Sequence, residues 1–197
     1  MENSALIISC QHGDLNSFAE LYKIYSKNAL GTAYLIAGSK GIAEDIVQET
    51  FIECWKSFQR LQNPATFEVW FYKILVRTGW RMVKRYNLTI PMDDDSLDGL
   101  VQAMQLNKEL DASETRMTVG QALEKLSLPL KTVVILYYYD DMSIKDIANV
   151  LGCLQGTIKS RLHNARKQLY NELYEASLSE MKQTDIGLSK AWAKKGV

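Results

Sequence analysis

The sequence predicts an all-helical protein of two small domains joined by an acidic, flexible linker, and three observations carry that prediction. Only three prolines, Pro64, Pro91 and Pro129, interrupt the 197 residues, and apolar side chains recur at helical spacing through most of what lies between them. Charge is segregated along the chain. From Val69 to Met92 there is no acidic residue, whereas Asp93, Asp94, Asp95, Asp98, Glu109, Asp111 and Glu114 then face only Lys108 and Arg116. The third observation is a pair of short helical patterns, residues 143–152 and 155–169, separated by a short turn that argues for a helix-turn-helix over an ordinary solvated amphipathic helix. These features divide the chain into an amino-terminal domain over 1–90, a linker over 91–114, a carboxy-terminal domain over 115–177 and a tail over 178–197.

In the amino-terminal domain, Asp14 is a reasonable cap for a long helix whose buried stripe is Phe18, Leu21, Tyr22, Tyr25, Ala29, Ala33 and Ile36. Gly38-Ser-Lys-Gly41 breaks the chain; it lacks the spacing and preceding strand of a phosphate-binding loop and is read as a helix connector. The next helix turns Ile42, Ile46, Phe51 and Trp55 inward and leaves Glu44, Asp45, Gln48, Glu49 and Glu53 polar. A second, basic helix follows, with Lys73, Arg77, Arg81, Lys84 and Arg85 along one side and Phe71, Leu75, Met82 and Tyr86 along the other. An acidic helix beside a basic one suits two different partners, and it equally suits two solvated surface helices. Trp55, Trp70, Trp80 and the run Tyr137-Tyr-Tyr139 fall on helical patterns and read mainly as packing residues.

In the carboxy-terminal domain, Ser143 with Asp146 three residues later starts a short helix with the stripe Ile144, Ile147, Ala148 and Leu151, and Gly152 ends it. The second helix buries Ile158, Leu162, Ala165 and Leu169. Lys159, Ser160, Arg161, His163, Asn164, Arg166 and Lys167 crowd the remaining circumference, and no acidic residue stands between Asp146 and Glu172. Such a helix lies against phosphate and offers short donors to base edges in a major groove.

Composition limits the alternatives. Lys plus Arg number 23 and Asp plus Glu number 23, so any affinity for nucleic acid rests on local segregation of charge. Cys10, Cys54 and Cys153 are odd in number and set in apolar patterns, which predicts small core residues in a reducing compartment. No stretch is long and apolar enough to span a bilayer, so the expectation is a cytoplasmic protein without membrane insertion. Cys10 and His12 are possible metal ligands, but no second pair completes a tetrahedral site; no metal or other cofactor is expected. No nucleophile, base and orienting group form a set, and no enzymatic activity is expected.

Four stretches taken in order, Ala43-Glu-Asp-Ile-Val-Gln-Glu-Thr-Phe51, Phe67-Glu-Val-Trp-Phe-Tyr-Lys-Ile74, Leu128-Pro129 and Gly156-Thr-Ile-Lys-Ser-Arg-Leu-His-Asn-Ala-Arg166, resemble bacterial RNA polymerase sigma factors of the extracytoplasmic-function class. The resemblance runs to about Ala176. It implies that 1–90 is sigma region two and 115–177 sigma region four, that the partners are core RNA polymerase (clamp helices of the largest subunit, and the flap) and promoter DNA, and that an anti-sigma factor controls the protein under envelope or environmental stress. It assigns Asp45, Gln48 and Glu49 to polymerase docking. It assigns the loop from Phe58 to Thr66, with Phe58, Arg60, Asn63 and Thr66, to capture of an unstacked minus-ten base, followed by Trp70, Lys73, Arg77, Arg81, Lys84 and Arg85 along the melted strand. Thr157, Lys159, Ser160, Arg161, His163, Asn164, Arg166 and Lys167 fall to the minus-thirty-five element. In the family the linker threads the polymerase near its active cleft, so Asp93, Asp94 and Asp95 either occupy a basic channel there or only keep the linker soluble and extended.

This chain departs from the common pattern at Arg77, His163 and Asn164, at Leu154 in place of a frequent proline, and at Asp141 in place of a glycine; Asp tolerates the left-handed conformation better than most residues. The tail carries Leu178, Met181 and Trp192, and a frayed terminus is expected there. The competing reading is a stand-alone helix-turn-helix regulator with an amino-terminal sensing or dimerisation domain. A repressor, however, has no use for an acidic docking face beside a base-capture loop.

Overall fold

The computed structural model describes residues 4–86 and 113–194, which form helices and turns with no strand among them. The linker aspartates Asp93, Asp94 and Asp95 lie outside the described residues. The amino-terminal bundle comprises α1 (Ser4–Gln11), α2 (Leu15–Ala37), α3 (Lys40–Ser57) and α4 (Phe67–Tyr86). The carboxy-terminal set comprises α5 (Ser113–Glu124), α6 (Leu128–Tyr138), α7 (Ile144–Leu151) and α8 (Gln155–Lys194).

Local chemistry sets the helix ends. The Asp14 carboxylate accepts from the amides of Asn16 and Ser17 and so satisfies two donors that the first turn of α2 leaves open. At the other end Gly38 takes φ 71°, a left-handed cap that costs glycine little. Pro129 sits in the first turn of α6, where its missing amide hydrogen is no loss.

The amino-terminal core is aromatic. Phe58, Phe67 and Phe71 are almost completely buried, and Phe58 stacks on Phe67 with ring centroids 5.8 Å apart and planes within 6° of parallel. Leu21, Ala29, Ala33 and Ile36 of α2 close the core from one side, and Ile46, Phe51 and Cys54 of α3 from another. Burial of each large apolar side chain contributes about 1.5–3 kcal/mol. Cys10 and Cys54 are core residues, as their apolar surroundings in the sequence imply; Cys153 is half-buried.

The two sets of helices touch. α7 packs on α4 and α6 packs on α2, so Val150, which lies off the predicted stripe of α7, is buried along with Ile147 and Ala148. Tyr139, just beyond α6, presses its hydroxyl onto Gly31 in the middle of α2, where a Cβ would lie only 1.9 Å from that oxygen. Trp80 of α4 donates its indole N–H to Thr132 Oγ1 of α6 at 2.9 Å, and the same hydroxyl donates to the Leu128 carbonyl at 2.8 Å. Trp80 is therefore a packing residue, as its helical position implies.

One expectation about the ends of elements needs correction. Where a frayed tail is expected, α8 continues, running unbroken from Gln155 to Lys194 with no Pro in its length.

Candidate nucleic-acid interface

The helix-turn-helix is assembled by short-range interactions. Ser143 Oγ accepts from the Asp146 amide at 3.1 Å and donates to the Asp146 carboxylate at 2.6 Å, closing the start of α7. Asp141, just upstream, adopts φ 51°, the left-handed geometry that its place in the sequence calls for. Gly152 ends α7 at φ 63°, and the Cys153 and Gly152 amides return to the Ala148 carbonyl. The chain then re-enters helix at Gln155. Ile158, Leu162 and Ala165 are buried, and Leu169 is half-buried, so the predicted stripe holds α8 on α7 and α6.

This anchoring turns the other circumference outward. Lys159, Ser160, His163, Asn164, Arg166 and Lys167 are exposed, and Thr157 and Arg161 are half-buried at the edge of the same face. Among the described residues no carboxylate forms an ion pair on that face. Arg166 is held in place: its Nε donates to Tyr138 Oη at 2.8 Å and its guanidinium lies 5.8 and 5.7 Å from the ring centres of Tyr137 and Tyr138. Its terminal nitrogens keep their donors for an anion. The sequence does not single out Tyr138 as part of this surface, because nothing local ties residue 138 to residue 166.

The second surface lies on the amino-terminal bundle. Lys73, Arg77, Arg81, Lys84 and Arg85 are all exposed along α4, and Trp70 is half-buried at its start. The preceding loop is shaped from below. Gln11 of α1 donates to the carbonyls of Leu61 at 2.6 Å and Phe58 at 3.3 Å, and Leu61 is buried. Asn63 accepts from the Ala65 amide at 3.0 Å, and its carbonyl accepts from the Thr66 hydroxyl at 2.8 Å. Arg60, Asn63 and Thr66 thus project from a braced turn.

Phe58 does not join them. It is 1 % exposed, ringed by Phe18, Phe67 and Trp70, and its assignment to base capture is corrected to a core role. The loop begins one turn later than the sequence match suggests, because residues 58–60 still coil as a 3-10 turn that carries Phe58 inward.

Asp45 and Gln48 are exposed on α3 and Glu49 is half-exposed. The acidic and basic helices are neighbours, and they interact directly: Glu49 pairs with Arg81, and Tyr86 Oη donates to Asp45 at 3.3 Å. The two faces therefore share a border, which the separate readings of each helix do not reveal. Among the described residues no group of His, Cys, Asp and Glu could hold a metal ion, and no helix is long and apolar enough to cross a membrane.

A capped helix-turn-helix whose outer face from Thr157 to Lys167 is free of acidic residues, joined to a helical bundle bearing a braced loop and a cationic helix, is the architecture of a DNA-binding protein with two cationic surfaces. Residues 21–89 match the family described as Sigma-70 region 2, and residues 116–169 match Sigma-70, region 4. The chain is 31% identical over 176 residues to RNA polymerase sigma factor SigV of Bacillus subtilis, covering 89% of this chain and 95% of that protein. It is 32% identical over 167 residues to ECF RNA polymerase sigma factor SigE of Mycolicibacterium smegmatis, covering 82% of this chain and 63% of that one. The fold is also that of CnrH, solved in complex with the cytosolic domain of CnrY (TM-score 0.66, 19% identity, 88% of this chain and 97% of that one). It likewise matches the sigma factor RpoE of Bartonella quintana, solved with the anti-sigma factor NepR (TM-score 0.62, 23% identity, 81% and 98%). The chain belongs to the extracytoplasmic-function sigma factors of the sigma-70 family. It is a promoter-specificity subunit that works with core RNA polymerase on promoter DNA and has no enzymatic activity.

Proposed function

We propose that the two surfaces divide the promoter between them. Lys159, Ser160, Arg161, His163, Asn164, Arg166, Lys167 and Thr157 read the minus-thirty-five element in the major groove. The braced loop with Arg60, Asn63 and Thr66 takes the unstacked minus-ten base, and Trp70, Lys73, Arg77, Arg81, Lys84 and Arg85 follow the melted strand. Extruding a base costs a few kcal/mol, so a preformed loop with cations beside it offsets part of that cost. Asp45, Gln48 and Glu49 dock on the clamp helices of the polymerase largest subunit. Residues 1–90 and 115–177 serve as the two working units, with 91–114 as the connection between them.

The observation that carries this reading is the acid-free, outward face of α8 from Thr157 to Lys167, fixed by a buried stripe on its other side. In-vitro transcription with purified core enzyme tests it. Arg161→Ala or Lys159→Ala is expected to weaken minus-thirty-five use by about 1–3 kcal/mol, or roughly five- to 150-fold, while core binding stays intact. Loss of core binding in either variant would sink the assignment.

Control by an anti-sigma factor completes the reading, on the model of RpoE, which was solved bound to one. The protein acts in the cytoplasm, where polymerase is, and answers an envelope or environmental stress. Co-purification from cells, with sequencing of the transcripts induced on overexpression, tests regulator and regulon together.

A further inference from the structure

Asp140, in the turn between α6 and α7, is placed unlike any other carboxylate among the described residues. Its Oδ1 gathers three donors from the other half of the molecule: Asn28 Nδ2 at 2.9 Å and Thr32 Oγ1 at 2.7 Å from α2, and Tyr72 Oη at 2.8 Å from α4. Asn28 also donates to Tyr72 Oη at 2.7 Å, which locks the donors to one another. Its Oδ2 is sealed from solvent with no hydrogen-bond partner. Among the described residues the charge that reaches the group is Glu68 of α4 and none is a cation; the titratable neighbours are Tyr72 and Tyr139. Around this cluster stand the Tyr139 contact on Gly31 and the Trp80 bond to Thr132.

These contacts hold α4 and α8 on either side of α7. At contact distances of about 8–10 Å per helix pair, the axes of α4 and α8 are no more than about 20 Å apart where they flank α7. On the proposed division of the promoter, on which this inference rests, elements named for positions ten and thirty-five lie about 25 base pairs apart, roughly 85 Å of B-form DNA at about 34 Å per turn. On that reading the contacts described here break before both elements are engaged.

We infer that the Asp140 cluster is a proton-sensitive latch, holding the free chain in this closed arrangement when the carboxyl is neutral and loosening it when the carboxyl is charged. A charged Asp140 leaves an uncompensated anion at a buried interface, with one oxygen unbonded; opening returns it to water. Burial pushes its pKa up to about 7, against the pull of the three donors. In the open chain the carboxyl reverts to about 3.9. The closed state therefore binds the proton more tightly, so closure is favoured below pH 7 and weakens as pH rises through it. Tyr72 stays protonated throughout, since burial and Asp140 both push its hydroxyl up, and it remains a donor.

Small-angle scattering of the full-length protein, without polymerase or DNA, tests the latch. Between pH 6 and pH 8 the ratio of compact to extended molecules is expected to fall roughly tenfold in the wild type. Asp140→Asn, which keeps the acceptor and removes the charge, is expected to give the same ratio at both pH values. Gly31→Ala, whose added methyl meets Tyr139, is expected to be extended at either pH; should it fail to fold, Tyr139→Leu opens the same contact. A wild type with identical profiles at pH 6 and pH 8, or an Asp140→Asn chain that keeps the wild-type response, would overturn the proposal.

Discussion

The two cationic surfaces are built in opposite ways. The carboxy-terminal surface is specified within about thirty consecutive residues: a serine cap, a glycine stop, a four-residue stripe and the polar face left over. The amino-terminal surface depends on residues distant in sequence. Gln11 braces a loop some fifty positions away, and Glu49 of α3 pairs with Arg81 of α4. A locally specified surface tolerates change elsewhere in the fold, whereas one assembled from several helices shifts when any of them shifts.

The largest expected effect sharpens this contrast at Phe58. Phe58→Ala leaves a cavity beneath the loop and is expected to cost about 3–5 kcal/mol of folding stability, read by urea denaturation. A stable Phe58→Ala protein that had lost only promoter melting would restore its role in base capture. Ser143→Ala removes the cap of α7 and is expected to cost about 1 kcal/mol of stability. Minus-thirty-five binding should weaken in it only as far as folding does, and a disproportionate loss would mean that Ser143 itself touches DNA.

Tyr138→Phe keeps both rings beside Arg166 and deletes one hydrogen bond. Binding to duplex minus-thirty-five DNA is expected to weaken by about 0.5–1.5 kcal/mol, with unfolding unchanged. An unaffected DNA affinity would show that Arg166 needs no positioning. The smallest effect is expected of Glu49→Gln. The pair with Arg81 is exposed and screened, so its loss should change stability by less than about 1 kcal/mol. The freed Arg81 should steepen the salt dependence of single-stranded minus-ten binding, while an unchanged slope would show that the pair does not restrain Arg81.

The contrast also explains what could be read without coordinates. The all-helical class, the caps at Asp14 and Ser143, the left-handed Asp141 and the buried stripe of α8 were legible because each depends on neighbours within four residues. Phe58 misled because its place in a loop motif outweighed its aromatic character; the core it enters is formed by Phe18, Phe67 and Trp70, which no periodicity links to it. Val150 was missed because α7 is covered on two sides, and a single stripe predicts one. Asn28, Thr32, Tyr72 and Asp140 carry no shared pattern at all, being up to 112 positions apart.

Gly31 has an evolutionary meaning. A glycine inside a helix sacrifices about 1 kcal/mol relative to alanine, and random substitution would soon replace it if nothing opposed the change. Here the tyrosine hydroxyl already fills the space where a first side-chain carbon would go. Related chains that retain this docked state should therefore inherit glycine at this position together with an aromatic residue at position 139, and lineages that have abandoned it should lose both.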